Sequence, residues 1–585
     1  MPGPCGAHAA HEPVITRFVP GSLLVIGVLA LLACAPSADP AGTSAARPAA
    51  AEVAPATKTL VMISPGELPS FADKQILPAG AAVTTRMRGK EIVNAKLAFR
   101  DEQGLPFPVL AETLPELNTP TWRVSPDGTM ETSYRLRPNL TWHDGQPITA
   151  KDWVFAWRVY ATPEFGVART GGFRLLDEVM APDPRTVVLR WRQPYPLAVE
   201  EVDILPPLPR HILEQPFGQL DPDPFMSLPF WRDEYVGAGP FKLERREPGA
   251  FFEASAFAGF VFGRPRIDRV RIIYIPDTNT GIATLLSGEA HFYMESSLFG
   301  EDGIVIERQW SADRGTVLYE PISPRAMGIQ QRPEVAVPPE LATDVRVRRA
   351  VAYAMDREEL LEVITAGKGL LRDVYTHPHA DYYETVLRAV PVRYRYDARR
   401  AQQLLEEAGF GRGADGTWLT PRGDRFTLEQ WYIGGASNER ESNILVAGWR
   451  RFGIEATSHL WGVQRTSAEE RSKTSGIFGG SHNVDDFHSR DIARPETRWT
   501  GSNRYGFANR EYDRLVEAWE ATLDRTERIQ HLAQMERIVM EELPAIPLYY
   551  NPRVIAFAAG LKGVASKLVD DGGIERKLWQ WEWQS

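Results

Sequence analysis

Apolar positions along this chain change period several times, and each change marks an element. Thr59-Leu60-Val61-Met62-Ile63 is a short apolar run stopped by Pro65-Gly66, which predicts a first strand. Between 122 and 157, the turn Ser125-Pro126-Asp127-Gly128 leads into Tyr134 and Leu136, which alternate with polar neighbours as in a half-buried strand. After the turn Asp144-Gly145, Thr149 precedes Asp152 by three residues, a capping arrangement for a helix carrying Trp153, Val154, Trp157 and Tyr160. The bend Val236-Gly237-Ala238-Gly239-Pro240 leads to a strand at 241–243. The run 270–275 is a buried strand halted by Pro276-Asp277, with Asp277 or Thr278 capping a helix that ends at Gly288.

Helical spacing returns at Val347, Ala350, Val351 and Ala354. Asp356 with Glu359 caps the next helix, closed by Gly367, and Asp397 starts another that ends at Gly409. An extended segment at 428–433, a helix around 443–451 and a strand from Ile454 give the order strand, helix, strand. That order favours parallel pairing, so the chain reads as an α/β protein with at least one parallel unit in its second half.

The N-terminus follows a different logic. Residues 23–33 are an unbroken apolar stretch behind Arg17, and small Ala33 directly precedes Cys34. This is the layout of a cleavable export signal, too short for a hydrocarbon core that needs about 20 residues. With a cysteine at the cleavage point it resembles a bacterial lipobox, which implies a signal peptide at 1–33 and acylation of Cys34. Residues 34–57, mostly Ala, Pro and Ser, cannot bury enough surface to offset their ordering entropy and read as a lipidated flexible linker. A plain secretory signal with an incidental cysteine is the alternative; either way the chain leaves the cytoplasm.

Composition narrows the class. A net charge of −10 argues against a nucleic-acid partner. The two cysteines are Cys5, lost with the signal, and Cys34, so the mature chain has no disulfide and depends on packing. Its 585 residues permit that. Gly367-Lys368-Gly369 lacks the rest of a P-loop and sits behind a helix, where glycine serves as a cap.

Taken in order, several segments resemble the family 5 extracellular solute-binding proteins, the peptide-type receptors of ABC importers. They are 136–152, with Trp142-His143-Asp144-Gly145; 236–243; Tyr274-Ile275-Pro276-Asp277 with Leu286-Ser287-Gly288-Glu289; 347–357; and 396–409. Tyr505-Gly506-Phe507-Ala508-Asn509, Tyr512-Asp513 and Ile546-Pro547-Leu548-Tyr549 complete the series. The resemblance implies a two-lobed periplasmic-binding-protein type II fold with an extra subdomain in the first lobe. The first lobe would be 58–275, its subdomain about 96–195, the second lobe 276–544, and 545–585 the return to the first. It also implies capture of a peptide or peptide-like solute in an inter-lobe cleft, delivery to ABC permease and ATPase subunits on separate chains, a lipid anchor at the membrane and a monomeric receptor. No cofactor and no catalysis are required.

Peptide-binding relatives use an Asp in a Gly-Trp-x-x-Asp segment to pair with the peptide amine. Here the corresponding stretch runs from Phe478 to Phe487; the Trp is missing and the Asp spacing has shifted. Asp485 or Asp486 would supply the carboxylate, with His482 beside them, and the alternative for each Asp is a solvated loop acid. Trp461, just after a strand, stands where relatives place an aromatic wall, with core packing as the alternative. Glu67, after the first strand, is a candidate at the cleft edge, or a plain turn residue. His482, Asp485, Asp486, His488 and Asp491 also invite a metal-site reading, which makes a secreted metal-dependent hydrolase the competing class; His377 and His379 look like loop residues. A receptor of the same family for a metal chelate or an oligosaccharide is a further alternative, and a non-transport role as a surface receptor or chaperone is the third reading.

Overall fold

The computed structural model describes residues 58–74, 76, 89–165, 171–201, 203–294, 298–462, 467–499, 501–565 and 573–584. The expected signal peptide at 1–33, the linker at 34–57 and Cys34 lie outside the described residues.

One mixed sheet of eleven strands organises the rest. Ten of its strands are β1 (Thr59–Ser64), β2 (Phe241–Glu247), β3 (Phe251–Ala256), β4 (Arg269–Tyr274), β5 (Phe292–Tyr293), β6 (Gly315–Ile329), β7 (Thr427–Ile433), β8 (Glu455–Trp461), β9 (Ile477–Gly480) and β10 (Ala545–Ala558). Their spatial order is β8-β7-β9-β6-β10-β5-β1-β4-β3-β2. The strand at 427–433, the helix Ala436–Phe452 and the strand at 455–461 pair in parallel, as the sequence order predicts.

Local chemistry explains the helix starts. Asp152 accepts from the Thr149 amide at 2.7 Å and opens α1 (Ala150–Tyr160). Asp277 accepts from the Thr280 amide at 2.8 Å and opens the helix Thr278–Ser287, which Gly288 ends in the left-handed region. The glycine bend before β2 is required by space: a Cβ on Gly239 would lie 2.3 Å from the Asn94 amide nitrogen.

Two large apolar cores flank a crossing. The first gathers residues such as Leu60, Trp153, Ile272, Ile322, Ile555 and Trp581; the second gathers Met327, Val351, Trp449, Ile477 and Leu548. The chain therefore passes between lobes within β6, between Ile322 and Met327, and returns within β10, between Tyr549 and Val554. On this division of the cores we propose the boundary within β6, where the sequence reading expects it at 275/276. Ile282, Leu285, Ile306 and Trp310 pack with Ile63, Tyr293 and Val554 in a third, smaller core, so residues 276–310 belong with the first lobe's sheet. We propose the return, expected at 545, within β10 likewise, because Ala545, Ile546, Leu548 and Tyr549 belong to the second core. A separate antiparallel sheet of four strands, within 122–191, packs with α1.

At the crossing the ladder is interrupted. Register shifts fall between Pro321 and Ser323, opposite Pro552 and Asn551, and between Pro324 and Ala326, opposite Tyr550 and Pro547. Proline has no amide hydrogen to donate, so the sheet is held by fewer backbone bonds here and bends at least cost.

Candidate functional site

Strand direction locates the site. β1, β4 and β5 are parallel to one another and, through antiparallel β10, run the same way as β6, out of the first lobe toward the second. β9 is antiparallel to β6, and β7 and β8 are parallel to β9, so these three run back toward the first lobe. The carboxyl ends of both sets converge on the crossing. Ligands of α/β sheets bind beyond carboxyl ends.

Trp461 is the last residue of β8 and stands at this convergence, half-buried. Its ring lies 5.0 Å from Trp431 and 5.9 Å from Phe478. Tyr505 continues the row 6.3 Å beyond Phe478, and His482 lies 5.9 Å from Tyr505. The row needs Gly328, because a Cβ there would meet the Tyr505 ring at 2.1 Å. Other tryptophans, such as Trp142, Trp153, Trp191 and Trp449, are fully buried core residues.

His482 follows β9 by two residues. It is 6% exposed, and its Nδ1 lies 3.9 Å from Asp486 Oδ2. Burial, with Arg504 and Arg372 nearby, lowers its pKa to about 3, so the ring is neutral at physiological pH. Its carbonyl accepts from Arg372 Nη1 at 2.9 Å, and the Arg372 guanidinium sits over the Tyr375 ring. Asp486 accepts from the Asn483 amide at 2.7 Å; desolvation, with Asp485 adding to it, raises its pKa to about 6. Asp485 exposes its surface to solvent, yet the protein around it still pushes its pKa up. The two acids thus differ: Asp486 is tied into its own turn and Asp485 faces out.

Glu67 has a different partner from the one its position suggested. Its carboxylate is held by Arg246 on β2 and by the Gly249 amide at 2.9 Å, and Arg246 also reaches Asp233 at 2.6 Å. Glu67 therefore fastens the turn after β1 to the first lobe's own edge. The two histidines of the metal-site reading do not converge either. His488 is buried beside Asp513 and Glu517 and accepts from the Arg490 amide. Among the described residues no group of three His, Cys, Asp or Glu is placed to hold a metal. His377 is engaged, hydrogen-bonded through Nε2 to the Pro321 carbonyl at the crossing at 3.0 Å.

The sequence reading missed the strongest polar feature. Arg325, on β6 at the crossing, donates to Glu441 at 2.5 and 3.1 Å and to Asn438 at 3.1 Å, and the Tyr549 hydroxyl donates to Glu441 at 2.5 Å. Burial opposes the Arg325 charge, but Glu441 outweighs it and raises the pKa above the ordinary arginine value. A sign was present: Glu441 shares the stripe of Leu445 and Trp449 on the helix Ala436–Phe452, and a carboxylate on a buried stripe demands a cation. Further ion pairs join the lobes away from the crossing. Arg440 meets Glu301 at 2.6 Å, and Arg528 meets Glu200 at 2.5 Å.

The chain belongs to the bacterial extracellular solute-binding proteins of family 5: the model for that family, described as its "Middle" part, matches residues 112–479. It is similar to the oligopeptide-binding protein AppA of Bacillus subtilis, 25% identical over 477 residues that span 78% of this chain and 80% of that one. The solved structure of that AppA with a nonapeptide has a TM-score of 0.65 at 22% identity, covering 90% of this chain and 99% of the other. NikZ of Campylobacter jejuni, solved with Ni(L-His), has a TM-score of 0.68 at 19% identity, with coverage of 90% and 99%. The two-lobed α/β fold is shared with both.

Proposed function

We propose that this chain is the receptor of an ABC importer, capturing a peptide or peptide-like solute between its lobes and handing it unaltered to a permease and ATPase on separate chains. The observation that carries the reading is the convergence of six carboxyl ends, those of three parallel strands from each lobe, on one bendable two-strand crossing. A ligand touching both lobes stabilises the closed form by its differential affinity for it. Trp461 forms an apolar wall, with Trp431 and Phe478 fixing its ring. Asp485 and Asp486, beside neutral His482, supply carboxylate to a cationic end of the ligand. The relative AppA, which spans most of this chain and was crystallised with a nonapeptide, supports the peptide reading. No bond of the ligand is broken: the family is one of binding proteins. The export signal at 23–33 and Cys34 support a lipid anchor outside the cytoplasm. Native mass spectrometry of the chain purified without denaturation tests the reading. One enclosed peptide per chain supports it; hydrolysis products, or no retained ligand and no peptide binding, contradict it.

A receptor for a non-peptide solute of the same family is the second reading, favoured by one feature. Asp486 already spends a carboxylate oxygen on Asn483, and its raised pKa makes it a weaker partner for an amine than a fully ionised acid. If Asp485→Asn and Asp486→Asn both leave calorimetric affinity unchanged, these acids lie outside the site and this second reading gains.

A further inference from the structure

The first lobe carries a second concavity, remote in sequence from every residue assigned to the crevice. α1 aligns Lys151, Val154, Phe155 and Arg158 on one face, at offsets of three, four and seven. The neighbouring strand Leu176–Asp183 adds Val179 and Ala181, and α2 (Arg210–Gln219) lays Arg210 and Glu214 along the opposite rim. Together they line a groove of about 370 Å³. That volume suits a small molecule.

Its charge is one-sided. Its three cations face a single carboxylate, Glu214, which accepts from Arg158 at 3.4 Å and from Arg210 at 2.6 Å. Asp152, beside Lys151 in sequence, is buried and turned to the Thr149 and Arg210 amides. Among the described residues Lys151 makes no ion pair, and its side chain is exposed. In a chain whose net charge is −10 this local excess has no bulk origin. The Arg158 guanidinium is held at the rim over the Phe217 ring, and Phe155 packs edge-on against the same ring. The floor between the cations is aliphatic and aromatic. From Lys151 to Arg158 the rise along the helix is about 10 Å, the reach of a medium-length alkyl chain.

We propose that this groove is a binding site for a small anionic amphiphile, a medium-chain fatty-acid carboxylate, whose chain lies on Val154, Val179 and Ala181 and whose head meets the cations. The ligand differs from the peptide of the crevice in chemistry and in place.

Calorimetric titration of the full chain with sodium decanoate at low salt tests this. One site is expected, weakened about tenfold by Lys151→Glu, weakened by added salt, and absent for the uncharged decanol. Glu214→Gln, which frees two guanidiniums, is expected to bind more tightly, a gain that misfolding cannot imitate. No binding up to about 10 mM, equal binding of decanol, or loss of affinity in Glu214→Gln overturns the proposal. So does binding that Trp461→Ala abolishes and Lys151→Glu leaves intact, because the amphiphile then sits in the crevice.

Discussion

Arg325 and Glu441 are joined by two hydrogen bonds, of 2.5 and 3.1 Å, at the crossing between the lobes. The glutamate is 2% exposed. Arg325→Ala leaves that carboxylate without its cation and is expected to cost about 3–5 kcal/mol. Replacing both, as Arg325→Met with Glu441→Leu, removes the unpaired charge and is expected to cost less than the single change. Urea unfolding of the three proteins checks this, and equal stability of Arg325→Ala and the parent contradicts it.

Trp461 stands at the end of β8 on a bed of two other rings. Trp461→Ala is expected to weaken ligand binding about thirtyfold, while the unliganded protein loses only the stability of a half-buried ring. Calorimetry with the ligand recovered from the purified chain, beside a thermal melt, separates the two. A melting point that falls steeply with affinity intact assigns Trp461 to packing.

Acid is expected to destabilise the fold before it protonates ordinary carboxylates. Burial holds His482 at about 3, and His143 and His377 at about 4, against an ordinary value of 6.5. Below pH 6.5 the unfolded chain binds protons that the folded chain refuses, so stability falls as pH drops through this window. Asp486 works the other way: its folded pKa of about 6 lies above the ordinary 3.8, so the folded chain binds the extra proton and gains between those values. Asp486→Asn removes that partial offset. Its stability is expected to fall more steeply than the parent's between pH 6 and 4, read as urea midpoints; a shallower fall contradicts the assignment.

Salt is expected to loosen the unliganded pair of lobes. Arg440–Glu301 and Arg528–Glu200 each join first-lobe and second-lobe elements. Such pairs are worth at most about 1 kcal/mol each and weaken with ionic strength. Small-angle scattering of the ligand-free chain is expected to show a larger radius of gyration at high salt and in Glu200→Gln combined with Glu301→Gln. Superimposable curves contradict a role for these pairs in closure.

What was legible in the sequence follows from range. Asp152, Asp277 and Asp397 cap helices three residues or fewer away, and the parallel unit 427–461 lies in one continuous stretch, so local pattern sufficed. The lobe boundary lies beyond local pattern, because an apolar helix face such as that of Ile282 and Leu285 fits either lobe until β5 is seen to pair with β10. The partner of Glu67 was hidden for the same reason, Arg246 being 179 positions away. The position of Trp461 at a strand end is local and was legible; the Arg325 pair was not, because Glu441 is 116 positions off.

The most direct measurement of the central claim is native mass spectrometry of the full chain offered a mixture of short peptides, with scattering on the same sample. The expected result is one intact peptide bound per chain, a smaller radius of gyration, and release at unchanged mass on unfolding. Peptide fragments in the supernatant, or binding with no change in radius, contradict a two-lobed receptor that closes on its solute and returns it whole.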